Sequence, residues 1–352
     1  MRYCLIGCGR VSPEHIRAAK NNGLEICAVC DIDPESAKAN LGFAPFGING
    51  LGHPAMPGTG FYTEYREMLA QEKPELVAIA TPSGLHAQMA LDCLAAGAHV
   101  IVEKPIAMTL EDARKLIKTA DETGLVVCNN LQNRFNPAVR ALREAVEAGR
   151  FGPIYSAALQ LRWHRGDEYY RQAAWRGTRA LDGGAMMNQG IHGIDLLNWM
   201  LDGPAQVAAL TATLARSIEC EDLGIAAVRY RCGALASIEC TTTRYPGAQE
   251  EVIEISGARG CARLGGSAGH VVQTWRFDDA APGEEEAMRR RYSTEPETVY
   301  GHGHSLLYAD ALEAAARGGQ PLTDARVGYA AAAVVLGAYE SAETGKIVDI
   351  RL

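Results

Sequence analysis

A chain of 352 residues is longer than one compact core usually reaches, so two domains are expected. Its 47% hydrophobic and 22% charged residues exclude a disordered or fibrous protein. A net charge of -8 without a basic stripe excludes a nucleic-acid backbone as partner, because that partner demands clustered Lys and Arg.

Residues 2–6 predict a buried strand, Gly7 a turn, and Ser12-Pro13 a helix start with a capping hydroxyl and a proline in the first turn. Residues 25–30 predict a second strand ending at Asp31, and Asp33-Pro34 opens the next helix by the same device. The stretch 42–60, rich in glycine and proline, predicts a loop. Alternation then resumes with a strand at 76–80, a helix at 85–96, a strand at 100–102, a helix after the Thr109-x-x-Asp112 capping box, and a strand at 125–128. That order predicts a parallel sheet covered on both faces. Past Asn129 the pattern changes. After a helix at 137–148, strands are expected at 154–164, 224–231, 234–243, 251–256 and 271–277, with Cys232-Gly233 and Ala258-Arg259-Gly260 as hairpin connections. Helices are expected at 185–201, 305–317 and 324–343, and the Glu- and Arg-rich segment 278–300 reads as a solvated excursion. The fold class is therefore α/β, with a parallel-sheet domain over 1–129 and an α+β domain with a mostly antiparallel sheet over 130–352.

The ten cysteines are scattered through predicted strands such as Ile26-Cys27-Ala28-Val29-Cys30, and Cys27-x-x-Cys30 has no second pair at metal spacing, so buried thiols in a reducing compartment are expected and no metal. With no cleavable leader and no apolar run of membrane-spanning length, the expected setting is cytoplasmic and away from membranes.

The turn Gly7-Cys8-Gly9-Arg10-Val11-Ser12 lets the backbone approach a pyrophosphate, and the following helix aims its amide dipoles at that charge. Asp31 stands where a carboxylate accepts hydrogen bonds from an adenosine ribose and repels a 2'-phosphate, which favours NAD over NADP. Thr81, Pro82 and His86 follow the next central strand at the same edge, and Glu103-Lys104-Pro105 follows the strand after it. The expected cofactor set is Gly7, Gly9, Arg10, Val11, Asp31, Thr81, Pro82, His86, Glu103 and Lys104.

With Gly7-x-Gly9, Thr81-Pro82, Glu103-Lys104-Pro105 and Gly190-Ile191-His192-Gly193-Ile194-Asp195 in this order, the chain resembles the Gfo/Idh/MocA oxidoreductase family along essentially its whole length. The resemblance implies an N-terminal Rossmann domain, a C-terminal domain whose open sheet mediates contacts in a homodimer or homotetramer, and oxidation of sugar or cyclitol hydroxyls. The family's inositol-dehydrogenase pattern carries Asp-x-x-x-His on a helix, and this chain places Asn188 and His192 there. Trp175-Arg176-Gly177-Thr178, Asp182-Gly183-Gly184-Ala185, Met187-Asn188-Gln189 and Thr213-Leu214-Ala215-Arg216 look like the branch that oxidises UDP-N-acetylglucosaminuronate at its 3'-hydroxyl. Phe151-Gly152 and Tyr300-Gly301-His302-Gly303-His304 also look similar.

Matched to this pattern, Lys104 and His192 are the catalytic pair, and Lys104, Arg176, Asn188 and His192 meet the substrate. His192 is the candidate base because imidazole titrates near neutral pH, and Lys104 the candidate cation for a developing oxyanion. Arg134 and Arg179 are further candidates for an anionic substrate group, since a guanidinium offers it a planar fork. Tyr169, Tyr170 and Trp175 are candidates to stack on a ring. The leading expectation is an NAD-dependent sugar-nucleotide dehydrogenase. The alternatives are a dehydrogenase of a free cyclitol or monosaccharide, and a non-catalytic NAD(H)-binding regulatory protein.

Overall fold

The computed structural model describes every residue except 43, 46–50, 53–55, 57, 268, 294–300 and 302. The described residues form two compact units, Met1–Gln132 with His304–Gly328, and Asn133–Gly303 with Tyr329–Leu352.

The first unit is built on a six-stranded sheet in the order Gly60–Tyr62, Glu25–Cys30, Arg2–Ile6, Leu76–Ile79, His99–Val102, Val127–Asn129. All its pairs are parallel. The central strands are buried along nearly their whole length, as expected where helices cover both faces. The order runs outward in two directions from Arg2–Ile6 and Leu76–Ile79, so the crevice beyond their carboxyl ends is the topological switch point where such sheets bind ligands.

Two expected caps are present. Asp33 accepts from the amide of Glu35 at 3.0 Å, and Thr109 accepts from that of Asp112 at 3.1 Å. Ser12 is not a cap: its hydroxyl donates to the carbonyl of Gly9 at 2.6 Å. Much of 42–60, read as a loop, lies outside the described residues. Within it Ala44–Pro45 pairs with Leu51–Gly52, and Gly60–Tyr62 joins the main sheet as an edge strand too short to announce itself by periodicity.

The second unit carries an eight-stranded sheet ordered Val271–Phe277, Gly260–Gly265, Glu250–Gly257, Ile154–Arg162, Leu235–Thr241, Leu223–Tyr230, Pro204–Ala212, Val348–Asp349. Only Ile154–Arg162 with Leu235–Thr241 is parallel, so the expected mostly antiparallel sheet is found. Both expected hairpins form, around Cys232-Gly233 and Ala258-Arg259. The segment 278–300 is not merely solvated: its described part holds a helix, Glu284–Tyr292, clamped to the edge strand where Trp275 Nε1 donates to Glu284 at 2.9 Å and Arg150 pairs with Glu284 at 2.6 Å.

The expected helix at 185–201 begins as a π-helical turn, Ala185–Gly190, and becomes α-helical over Ile191–Met200. Its glycines allow the close approach. A Cβ on Gly190 would lie 2.3 Å from Cys240 Sγ, and one on Gly193 would lie 2.3 Å from Leu159 Cδ1.

Candidate active site

The first-unit site is built around Gly7. Its φ of +96° is a backbone conformation that side-chain-bearing residues resist, and a Cβ there would meet the carbonyl oxygen of Ala80 at 2.5 Å and the amide of Thr81 at 2.9 Å. Gly7 therefore brings the end of the first strand directly against the Thr81-Pro82 loop across the switch-point crevice. Nothing stands within 4 Å of where a Gly9 Cβ would be, so a ligand can approach that backbone. No side chain caps the helix that follows; the amides of Ser12 and Glu14 donate to the carbonyls of Gly9 and Val11 at 3.0 Å each and Pro13 carries no N–H, so what the helix start offers an anion is its positive dipole end. Arg10 is exposed and Val11 half-buried on the same turn.

Asp31 closes the other end. Its carboxylate accepts from the amide of Cys8 at 2.7 Å and from that of Asp33 at 2.9 Å, so it is anchored to the glycine turn. Each carboxylate oxygen keeps a further lone pair for a ribose hydroxyl. A tight glycine turn, an uncapped helix end and a fixed carboxylate at the end of the second strand fit a dinucleotide.

His86 sits behind this crevice. The ring is 1% exposed, with Nδ1 2.7 Å from the carbonyl of Pro105 and Nε2 2.9 Å from that of Thr81. Burial lowers its pKa, so the ring carries one hydrogen and one of these two contacts is the hydrogen bond. The side chain is thus packed between the Thr81 loop and the Glu103-Lys104-Pro105 corner, bonded to one of the two and facing the other with its bare nitrogen.

The strand His99–Val102 delivers that corner to the carboxyl edge of the sheet. Lys104 is half-buried. Glu103 is buried and accepts from His15 Nε2 at 3.2 Å, from Asn130 Nδ2 at 2.5 Å, and from the amide of Lys104 at 3.2 Å. Burial alone would push its carboxyl up, but the hydrogen bond from His15 and the nearby Lys104 charge outweigh it and hold the group well below the usual carboxylate range. His15 and Asn130, which hold Glu103, were not singled out in the sequence, and His304 only as the end of Tyr300-Gly301-His302-Gly303-His304. A histidine at a buried position of an amphipathic helix has no signature that separates it from core.

In the second unit, Asn188 and Gln189 sit on the π-helical turn, and His192 lies on the following α-helix. π-turns inside helices are frequent at functional sites. Asn188 Nδ2 donates to Asp182, while Gln189 Nε2 donates to Asn188 Oδ1 at 2.5 Å and to Tyr169 at 3.3 Å. The Tyr169 ring in turn carries two guanidinium groups, Arg176 at 4.2 Å and Arg165 at 5.0 Å, and Arg176 also stacks on Trp175 at 4.7 Å. Polar residues on the helix are thereby linked to a cationic, aromatic cluster. Arg165 was missed because a lone Arg after a strand carries no spacing signal.

Two expected anion-binding arginines are otherwise engaged. Arg134 forms a bidentate pair with Asp195 at 2.8 and 2.6 Å, both side chains buried, and lies over Trp199. Burial raises the Asp195 carboxyl and the Arg134 charge opposes that rise, which makes the pair a core lock between two helical segments. Arg179 is exposed and paired with Glu343 at 3.3 Å.

Comparison with known proteins gives this geometry its family. Residues 1–131 match the model of an oxidoreductase family with an NAD-binding Rossmann fold, and residues 139–263 match the GFO/IDH/MocA C-terminal domain. The chain belongs to the GFO/IDH/MocA oxidoreductase family. Within the family it is similar over its full length to the WlbA dehydrogenase from Bordetella pertussis in complex with NADH and UDP-GlcNAcA, at 36% identity and TM-score 0.87, covering 99% of that chain. The WlbA dehydrogenase from Chromobacterium violaceum, solved with the same two ligands, gives 36% identity and TM-score 0.88 with 96% of its chain covered. A 1,5-anhydro-D-fructose reductase from Ensifer adhaerens is 30% identical over 74% of each chain. The protein is an NAD-dependent oxidoreductase. No described helix is long and apolar enough to cross a membrane.

Proposed function

We propose that the protein is an NAD-dependent sugar-nucleotide dehydrogenase that oxidises the 3'-hydroxyl of UDP-N-acetylglucosaminuronate or a close analogue. The observation that carries this reading is the guanidinium and aromatic cluster of Arg165, Arg176, Tyr169 and Trp175, joined through Gln189 to the helix that bears His192. A uronate carboxylate or a diphosphate matches the charge of these two cations, whereas a neutral polyol offers them hydroxyl acceptors but no opposite charge. Full-length similarity to two dehydrogenases solved with UDP-GlcNAcA supports the same choice.

The first unit holds the cofactor, with Gly7, Gly9, Arg10 and Val11 at the pyrophosphate, Asp31 at the adenosine ribose, and Thr81, Pro82, Glu103 and Lys104 toward the nicotinamide. When bound, the oxidised nicotinamide supplies a hydride acceptor. The second unit presents the substrate: Arg176 pairs with its negative charge, Asn188 orients it, and His192 takes the hydroxyl proton as the carbonyl forms. The Lys104 ammonium stabilises the negative charge that develops on that oxygen. Second copies of the chain meet through the open face of the second sheet, as a homodimer or homotetramer.

The reading is tested by following NADH formation with UDP-N-acetylglucosaminuronate, UDP-N-acetylglucosamine, free monosaccharides and inositols. Turnover is expected on the uronate, with Lys104→Ala and His192→Ala each losing about 100-fold or more in kcat at near-normal NAD affinity. The second reading, oxidation of a free sugar, draws on the similarity to 1,5-anhydro-D-fructose reductase. Faster turnover of an unphosphorylated sugar than of any sugar nucleotide establishes it instead.

A further inference from the structure

Behind Glu103 lies a line of buried polar groups that the reaction as described does not use. Tyr3 Oη is 3.0 Å from Tyr308 Oη, and Tyr308 Oη is 2.7 Å from His15 Nδ1. His15 Nε2 is 3.2 Å from Glu103 Oε1, which also accepts from Asn130 Nδ2 at 2.5 Å, and Asn130 Nδ2 lies 3.1 Å from His304 Nε2. Tyr3, Tyr308, His15 and Asn130 are 0% exposed, and His304 4%. These groups come from the first strand, the first helix, the end of the last strand of the first sheet, and the helix Gly303–Arg317.

The hydrogens run one way. With Tyr3 donating to Tyr308, Tyr308 donating to His15 Nδ1, and His15 carrying its hydrogen on Nε2, each donor is matched and the line ends on the carboxylate. Asn130 donates from the other side, and its remaining contact needs a bare nitrogen on His304. Burial pushes His304 down to about 4, which leaves that nitrogen bare at neutral pH. Glu103 is therefore a carboxylate held by three donors, one of them the amide of Lys104 itself. A buried charge this well satisfied is a costly feature that core packing does not require.

We propose that Glu103 is the fixed counter-charge of the Lys104 ammonium, and that His15 and Tyr308 are positioning residues that hold this carboxylate in place. The proposal rests on the reading of Lys104 as the cation at the reacting oxygen. Its consequence is that the ionisation of Lys104 is set from behind Glu103, by His15 and Tyr308, which the proposed reaction places against neither substrate nor cofactor. The titratable groups facing the corner are His15 from the first helix, Tyr3 from the first strand, Tyr308 and His304 from the helix Gly303–Arg317, and His86 from the helix beyond the Thr81 loop. Arg17 adds a charge near His304.

The decisive experiment is an NMR titration of lysine side chains carbon-labelled at Cε, with the Lys104 signal assigned by its loss in Lys104→Ala. In Glu103→Gln the Lys104 midpoint is expected to fall by about one pH unit, the scale of removing an opposite charge nearby. His15→Phe is expected to lower it in the same direction and to reduce kcat about 10-fold while KM for NAD stays within about 2-fold, with His15→Gln, which restores a donor, recovering part of both. Tyr308→Phe, which deletes one hydroxyl and keeps the ring, covers the case in which Glu103→Gln does not fold, and its midpoint is expected to move the same way by a smaller amount. A Lys104 midpoint unchanged in whichever of these variants fold overturns the proposal. Because the titration needs no turnover, it is decided separately from the catalytic reading, which fails instead if Lys104→Ala retains normal kcat.

Discussion

Arg176 and Arg179 stand three residues apart and meet opposite fates. The Arg176 Nε–H is buried with no hydrogen-bond partner among the described residues, its guanidinium stacked on Tyr169 and Trp175. Arg179 lies in water beside Glu343, and exposed pairs of that kind contribute little. A buried donor without a partner costs free energy unless something arrives to satisfy it, which is the ground for assigning Arg176 to the anionic group of the proposed substrate. Arg176→Ala should raise KM for UDP-N-acetylglucosaminuronate about 10- to 100-fold, the worth of a charge-assisted hydrogen bond, and leave kcat within about 3-fold. Arg179→Ala serves as the control, with both constants unchanged. Steady-state kinetics of the two variants checks this, and equal effects would remove Arg176 from substrate recognition. Residue type and position were enough to nominate Arg176. They could not separate it from Arg134, whose commitment to Asp195 depends on a contact between positions 61 residues apart.

At the scale of elements, the Gly7 turn and the caps Asp33 and Thr109 were readable because each follows from a local backbone requirement, whereas Ser12 bonds the Gly9 carbonyl instead of capping. Gly7, Asp33 and Thr109 needed no knowledge of distant chain. The π-helical turn at Ala185–Gly190 was not readable, because Ala185, Met186, Met187, Gln189 and Gly190 are all buried and leave no period to measure. What supports the turn is Glu221, which accepts from the amide of Met186 at 2.9 Å and from Tyr339 at 3.0 Å. A Cβ at Gly184 would fall 1.9 Å from Glu221 Oε2, so only glycine admits the carboxyl there. Burial pushes Glu221 up to about 7, against the donors of Met186 and Tyr339, and burial pushes Glu251 up to about 7 as well. Both folded values lie above the ordinary 4.5, so the folded state holds more protons than the unfolded chain between those limits. The stability each group confers is full below about 4.5 and is lost as pH rises through about 7, by at most about 3 kcal/mol per group. Urea unfolding at about pH 5 and about pH 8 should therefore show a stability gap in the native protein that narrows in Glu221→Gln. A gap of the same size in both would mean that the Glu221 proton is not held in the fold.

Across the whole molecule, the change from alternating strand and helix to consecutive strands was enough to forecast a parallel and then a mostly antiparallel sheet. Strand order was not forecast, because placing Ile154–Arg162 between Glu250–Gly257 and Leu235–Thr241 depends on pairings across many tens of residues. The strand Pro204–Ala212 also went unread, since its burial barely alternates. The finished sheet shows why. On one face Gly193 brings the helix Ile191–Met200 against Leu159, whereas the other face carries apolar side chains in the open. Leu210 and Ile225 stand opposite each other in register, Leu235 stands opposite Arg229 on that face, and the three apolar residues are 77%, 52% and 52% exposed. A sheet face of this kind gains from burial against a second copy of itself, which is the commonest closed arrangement of identical chains. Light scattering at micromolar concentration should give the native protein a mass of two or four chains. Leu210→Lys combined with Ile225→Lys places like charges across the symmetry-related contact and should shift the mass toward one chain, with the far-UV circular dichroism unchanged. A native mass of one chain would leave the face without this partner, and a multimer indifferent to the two lysines would place the contact elsewhere.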